Sequence, residues 1–193
     1  SRMKMLEKMT VITVPLAERT IPFKFYEVEE LASPILELDK VDMGYAPGKP
    51  VLDRVSLRLD FDDRIAIVGA NGQGKSTLSK LIAGRLQPMA GKFKHSSKMQ
   101  VGYFAQHQLD ELDLNGTPIS HVRPLMPNAS EASVRARCAQ MGFSGSKAET
   151  LISSISGGEK ARLLMGLATF GGPHLLILDE PTAGVDIELR RTM

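Results

Sequence analysis

The stretch Gly69-Ala70-Asn71-Gly72-Gln73-Gly74-Lys75-Ser76-Thr77 decides how this chain is read. Its glycine spacing and its Lys-Ser-Thr ending match a loop that cradles phosphate with backbone amides. Gly69, Gly72 and Gly74 let the backbone take positive φ and come close to a ligand, so successive N–H groups can converge on phosphate oxygens. Asn71 and Thr77 belong to the same cradle and are candidate contacts. Lys75 adds a point charge for the β and γ oxygens, and the Ser76 hydroxyl can ligate the Mg²⁺ that bridges them. The expected ligand is a nucleoside triphosphate with magnesium.

The flanks agree with that reading. Residues 64–69, RIAIVG, read as a buried strand. Leu78, Leu81, Ile82 and Leu86 recur at helical spacing, so the phosphates are expected to meet a helix N-terminus. Further on, the aliphatic run Leu175 to Leu178 ends in Asp179-Glu180. It reads as a buried strand lying beside the phosphate-loop strand. Asp179, at its carboxyl end, can hold the Mg²⁺ shell together with Ser76. Glu180 can orient and deprotonate an attacking water.

With 193 residues, the chain is long enough for one well-buried core, alone or with an extension. Apolar residues at 42% and charged residues at 24% are ordinary for a globular protein, and a net charge of +2 argues for no particular partner. Cys138 is the single cysteine, so no internal disulfide is possible and a reducing compartment is the simple expectation. No apolar run is long enough to span a bilayer, and no signal-peptide pattern opens the chain. The expectation is a cytoplasmic protein without direct membrane insertion. A start at Ser1 and a stop at Met193 inside a helical pattern read as cuts through a longer polypeptide.

Residues 1–33 read as a linker or extension, with a short basic amphipathic helix over 2–9 carrying Arg2, Lys4 and Lys8. The nucleotide-binding unit then covers 34–193. Residues 35–45 and 51–61 alternate apolar and polar positions as antiparallel strands do, and residues 91–97 and 98–106 are expected to form another strand pair closed by Gln106. Prolines at 118, 124 and 127 punctuate short helices, which marks a helical subdomain over about 115–170. Its best-defined helix runs from Ser130 to Met141, with Val134, Cys138 and Met141 on one side. A stronger helix opens on Ser156-Gly157-Gly158 and carries Leu163, Leu164, Leu167 and Phe170 three or four apart.

Residues 155–162, ISGGEKAR, resemble the signature sequence of ATP-binding cassette (ABC) ATPases. The resemblance implies an α/β fold of the phosphate-loop type: a mixed core sheet flanked by helices, with an antiparallel β subdomain and a helical subdomain, incomplete at its C-terminus. It also implies that a second ABC domain faces this one head to tail, with Ser156, Gly157 and Gly158 contacting the γ-phosphate of ATP held by the opposite domain. A glycine-opened helix with a serine ahead of it suits that task, because it presents free N–H groups and the positive end of a dipole. By the same resemblance Tyr45 stacks on adenine, Gln106 touches Mg²⁺ and the attacking water, and Asp186 contacts the partner domain.

The opening residues 1–9, together with YFAQHQ and SGGEKARL, are similar to the linker and second cassette of ABC-F proteins, particularly their bacterial YheS-like group. That implies a protein acting on the ribosome, with the linker near tRNA and rRNA. Where ABC-F proteins usually carry an Asn-His-Leu-Asp run, this chain has Ala183, Gly184, Val185 and Asp186, more like a transporter ATPase. The alternative is therefore the ATPase subunit of an ABC membrane transporter. The family's switch histidine would fall beyond Met193, so this stretch alone is expected to bind nucleotide better than it hydrolyses it.

Overall fold

The computed structural model describes residues 25–179; the expected basic helix over 2–9, Glu180 and Asp186 lie outside them. Strands β1 (Leu36–Met43), β2 (Leu52–Leu59) and β3 (Ala90–His95) form an antiparallel sheet in the order β2-β1-β3. Leu36 and Leu38 face the core while Glu37 and Asp39 face out, as a period of two requires. Val41 and Met43 are also fully buried, which is the opposite parity. Lys40, in the left-handed region at φ 48°, absorbs the extra residue, and the register of β1 shifts there against both neighbours. This bulge lets β1 bury both halves on one face.

The expected pairing of residues 91–97 with 98–106 is not what forms. Strand β3 pairs with β1, whereas β4 (Val101–Ala105) pairs in parallel with β5 (Leu175–Asp179). The compositions account for this: β3 exposes Lys92, Lys94 and His95 and suits one edge of an antiparallel sheet, while β4 is apolar on both faces and suits burial between layers. Residues 64–69 also depart from expectation. They are not in a strand, and Ile65, Ile67 and Val68 are exposed, Val68 at 91%. A strand apolar on both faces needs hydrogen-bonded neighbours and covering layers, and no strand among the described residues pairs with this one.

Helix α1 (Lys75–Ile82) follows the phosphate loop and ends earlier than its apolar spacing suggests. Gly84 at φ 71° turns the chain, with Arg85 N donating to Lys80 O at 2.8 Å, which satisfies carbonyls at the helix end. The helical subdomain contains α2 (Pro118–Val122) and α3 (Glu131–Gln140), capped by Thr117 and Ser130, and α4 (Gly157–Ala168) packs against it. Val122, Val134, Cys138, Met141, Phe143, Ile152 and Leu163 form its core. The opposite flank of α4, with Ala161, Leu164 and Met165, packs on Phe104, Leu176 and Leu178. Leu175 and Ile177 turn the other way, onto the cluster holding Leu81 and Ile82. Odd positions of β5 therefore face α1, and even positions face α4.

The segment ahead of β1 is tied to the helical subdomain. The Arg137 guanidinium lies between the rings of Tyr26 (4.1 Å) and Phe170 (4.4 Å) and donates to Phe170 O at 2.6 Å. Tyr26 OH in turn donates to Gln140 Oε1 at 3.0 Å. Burial lowers the pKa of Arg137. A planar cation stacked on two rings is not replaced by an ammonium. Arg137→Lys is expected to destabilise the protein by about 1–2 kcal/mol in urea unfolding, and to couple non-additively with Tyr26→Ala.

Candidate nucleotide site

The turn at 71–74 is made by backbone that only glycine adopts freely. Gly72 and Gly74 sit at φ 80° and 84°, whereas Gly69, expected to share this geometry, is not in the left-handed region. Gly74 is the residue before α1, and no side chain caps that helix, so its first amides remain available as donors. Lys75 Nζ folds back onto Gly69 O (2.7 Å) and Ala70 O (2.9 Å). The ammonium thereby takes up the loop's carbonyls, and its charge stands at the helix mouth beside the positive end of the dipole.

A cavity of about 330 Å³ opens over this loop, lined by Asn71, Gly72, Gly74, Lys75, Ser76 and Thr77 together with Tyr45 and Val51. Its lining combines two kinds of chemistry. Its amides, hydroxyls and ammonium suit phosphates, and the exposed Tyr45 ring in its lining suits the face of a nucleobase. Tyr45 is anchored to the loop, because its OH accepts from Thr77 Oγ1 at 3.4 Å and Lys80 Nζ lies 5.6 Å from its ring centre. Val51, just ahead of β2, is a wall that sequence reasoning missed.

Ser76 and Asp179, 103 positions apart, meet: Ser76 Oγ donates to Asp179 Oδ1 at 3.0 Å. The meeting follows from the strand parity above, which turns Asp179 toward α1. Tyr103 OH donates to the other oxygen, Oδ2, at 2.9 Å. Burial, then the Asp179 bond, push the Tyr103 pKa well above its ordinary 10.0, so the phenol stays a donor. Tyr103 was not singled out from sequence, although a tyrosine inside a buried strand signals a hydroxyl that needs an acceptor. A hydroxyl and one carboxylate fit magnesium, which takes oxygen ligands, keeps waters and shares phosphate oxygens. Among the described residues there is no cluster of three or more His, Cys, Asp or Glu for a self-contained metal cage.

Gln106 begins the 3-10 turn Gln106–Glu111, directly after Ala105, the register partner of Asp179. Its backbone thus leaves β4 at the same end of the sheet as the carboxylate. Ser156, Gly157 and Gly158 open α4 and do not line the cavity. The Ser156 hydroxyl accepts from Glu159 N (3.2 Å) and donates to Glu159 Oε2 (3.0 Å), while Lys147 Nζ holds the other oxygen at 2.9 Å. Lys147 first, then the Ser156 amide, lower the Glu159 pKa from 4.5 to about 2. A depressed carboxyl pKa stabilises the folded state above the unfolded value and loses that effect as pH falls through the folded one. Glu159→Gln is therefore expected to flatten the dependence of urea stability on pH between about 4.5 and 2.

Comparison with known proteins places these features in a family. The model described as ABC transporter matches residues 52–183. The chain is 40% identical over 193 residues to the probable ATP-binding protein YheS of Escherichia coli K12, covering 100% of this chain and 30% of that protein. It is 36% identical over 186 residues to protein GCN20 of Saccharomyces cerevisiae, covering 96% and 25%. To ATP-binding cassette sub-family F member 3 of Mus musculus it is 37% identical over 189 residues, covering 97% and 27%. The chain thus spans less than a third of the length of these relatives. Among solved structures, cbiO1 of Clostridium perfringens, described as part of the ABC transporter complex cbiONQ, aligns at TM-score 0.61 and 25% identity, over 79% of this chain and 67% of that one. No helix among the described residues is long and apolar enough to cross a membrane. The chain belongs to the ABC transporter family, as an ATP-binding cassette similar to those of sub-family F proteins.

Proposed function

We propose that this chain is the second cassette of an ABC-F protein, preceded by part of its interdomain linker, and that it binds and hydrolyses ATP to time the protein's stay on the ribosome. The observation that carries the nucleotide chemistry is the Ser76–Asp179 contact at the mouth of an uncapped helix, under a cavity walled by Tyr45. The phosphate-loop amides and Lys75 hold the phosphates, Tyr45 takes the adenine, and Ser76 with Asp179 and Gln106 hold magnesium, which offsets charge on the β and γ oxygens. Glu180 accepts the proton of the attacking water.

Ser156, Gly157 and Gly158 act in trans. They stand outside this chain's cavity at the start of a helix, which suits a γ-phosphate bound by a second cassette facing head to tail, with Asp186 at the same contact. For that contact the Ser156 hydroxyl exchanges its bond to Glu159 for one to phosphate. The ribosomal role is supported by the similarity to YheS, GCN20 and a sub-family F cassette over nearly all of this chain, and the proposed setting is cytoplasmic, with tRNA and rRNA beside the linker. The similarity to cbiO1 favours a second reading, the ATPase subunit of a membrane transporter. Full-length protein carrying Glu180→Gln, run with ATP on a sucrose gradient, separates the two. Comigration with ribosomes supports the first reading, and its absence when ATP is bound moves the assignment to transport.

A further inference from the structure

The Asp179 carboxylate is held by two hydroxyls from two different elements. Ser76 on α1 donates to Oδ1 and Tyr103 on β4 donates to Oδ2. A carboxylate rotates in a broad, two-fold torsional well, so a single bond leaves its plane free to turn. Two bonds, one to each oxygen, fix that plane. We propose that Tyr103 is a positioning residue for magnesium, its hydroxyl holding the Asp179 carboxylate with Oδ1 turned to Ser76. The inference rests on the reading of Ser76 and Asp179 as the protein's magnesium pair.

Tyr103 is itself placed with little freedom. Its register partner on β5 is Ile177, two positions before Asp179, so it emerges on the face that carries Leu175, Ile177 and Asp179 toward α1. The side chain is buried, 7% exposed. The Arg85 guanidinium covers the ring at 4.5 Å, from the turn that ends α1. Helix α1 therefore reaches Asp179 twice, directly through Ser76 at its start and through Arg85 and Tyr103 at its end. Backbone register sets the ring, Arg85 covers it, and the phenol reaches Oδ2.

A tyrosine that merely satisfied a buried carboxylate would show a different pattern on deletion: lower stability with no specific effect on the metal. The test uses full-length protein with ATP, titrated with magnesium by calorimetry, alongside ATP affinity and melting in EDTA. Tyr103→Phe is expected to raise the magnesium concentration at half-saturation by about 10-fold, while ATP affinity in EDTA stays within about twofold of wild type. Arg85→Met, which keeps the hydroxyl and uncovers the ring, is expected to shift half-saturation in the same direction by less. Unchanged half-saturation in Tyr103→Phe overturns the proposal, and so does a loss of ATP affinity in EDTA equal to the loss with magnesium. Where Tyr103→Phe fails to fold, unchanged half-saturation in Arg85→Met overturns it instead. Wild-type protein whose ATP affinity ignores magnesium would remove the underlying reading of Ser76 and Asp179, a result distinct from these.

Discussion

Glu180→Gln in the full-length protein is expected to leave ATP affinity within about twofold and to lower steady-state phosphate release by about 10²–10⁴-fold, the usual range for general-base assistance. Both oxygens of Asp179 are engaged, one by Ser76 and one by Tyr103, and its place opposite the phosphate-loop helix suits it to metal rather than to water. The next residue in the chain, Glu180, is a second carboxylate. Glutamine keeps its size and its ability to orient water while removing its basicity, so binding survives and proton transfer does not. Calorimetry gives the affinity and a coupled phosphate assay the rate. Turnover unchanged by the substitution would assign the base elsewhere, whereas affinity and rate falling together would make Glu180 a binding group.

The features legible in sequence were those that local chemistry dictates. The glycines at 72 and 74 and the serine ahead of Gly157 need only their immediate neighbours and stand where the spacing places them, and the aliphatic run into Asp179 forms the expected strand, although it pairs with β4 and not with residues 64–69. What escaped depends on partners far along the chain. The shift of parity within β1 is invisible in an alternating pattern, because Leu36, Leu38, Val41 and Met43 are all apolar whichever face is assumed. The separation of β3 from β4 into two sheets turns on β5, about 70 positions later, supplying a better neighbour for an apolar strand. Residues 64–69 show the converse: their apolar pattern announces a strand, yet pattern does not supply the neighbours that a strand needs. Tyr103 combines both difficulties, since its hydroxyl asks for an acceptor and only the parallel register of β4 with β5 says which one.

The bulge of β1 leads to the largest expected effect on stability. Gly91 lies at φ 86° on β3, directly over the irregularity, and a Cβ built there would stand 2.2 Å from Lys40 O and 2.7 Å from Val41 Cα. Both are backbone atoms, so no side chain can swing aside. Lys40 is already in the left-handed region, and moving it would disturb the register that buries Val41 and Met43. Gly91→Ala therefore combines a left-handed conformation, which costs an L-residue about 1–2 kcal/mol, with a clash that only main-chain movement relieves. The sum is expected to exceed about 3 kcal/mol and to lower the melting temperature by on the order of 10 °C. Gly72→Ala provides the contrast. It has a similar φ of 80° and nothing within 4 Å of the added carbon. It should show the conformational cost alone in thermal melts, with its main loss in ATP affinity. Equal melting temperatures for the two variants would mean that the close approach at Lys40 relaxes without cost, and that β1 does not need its bulge to fill the core.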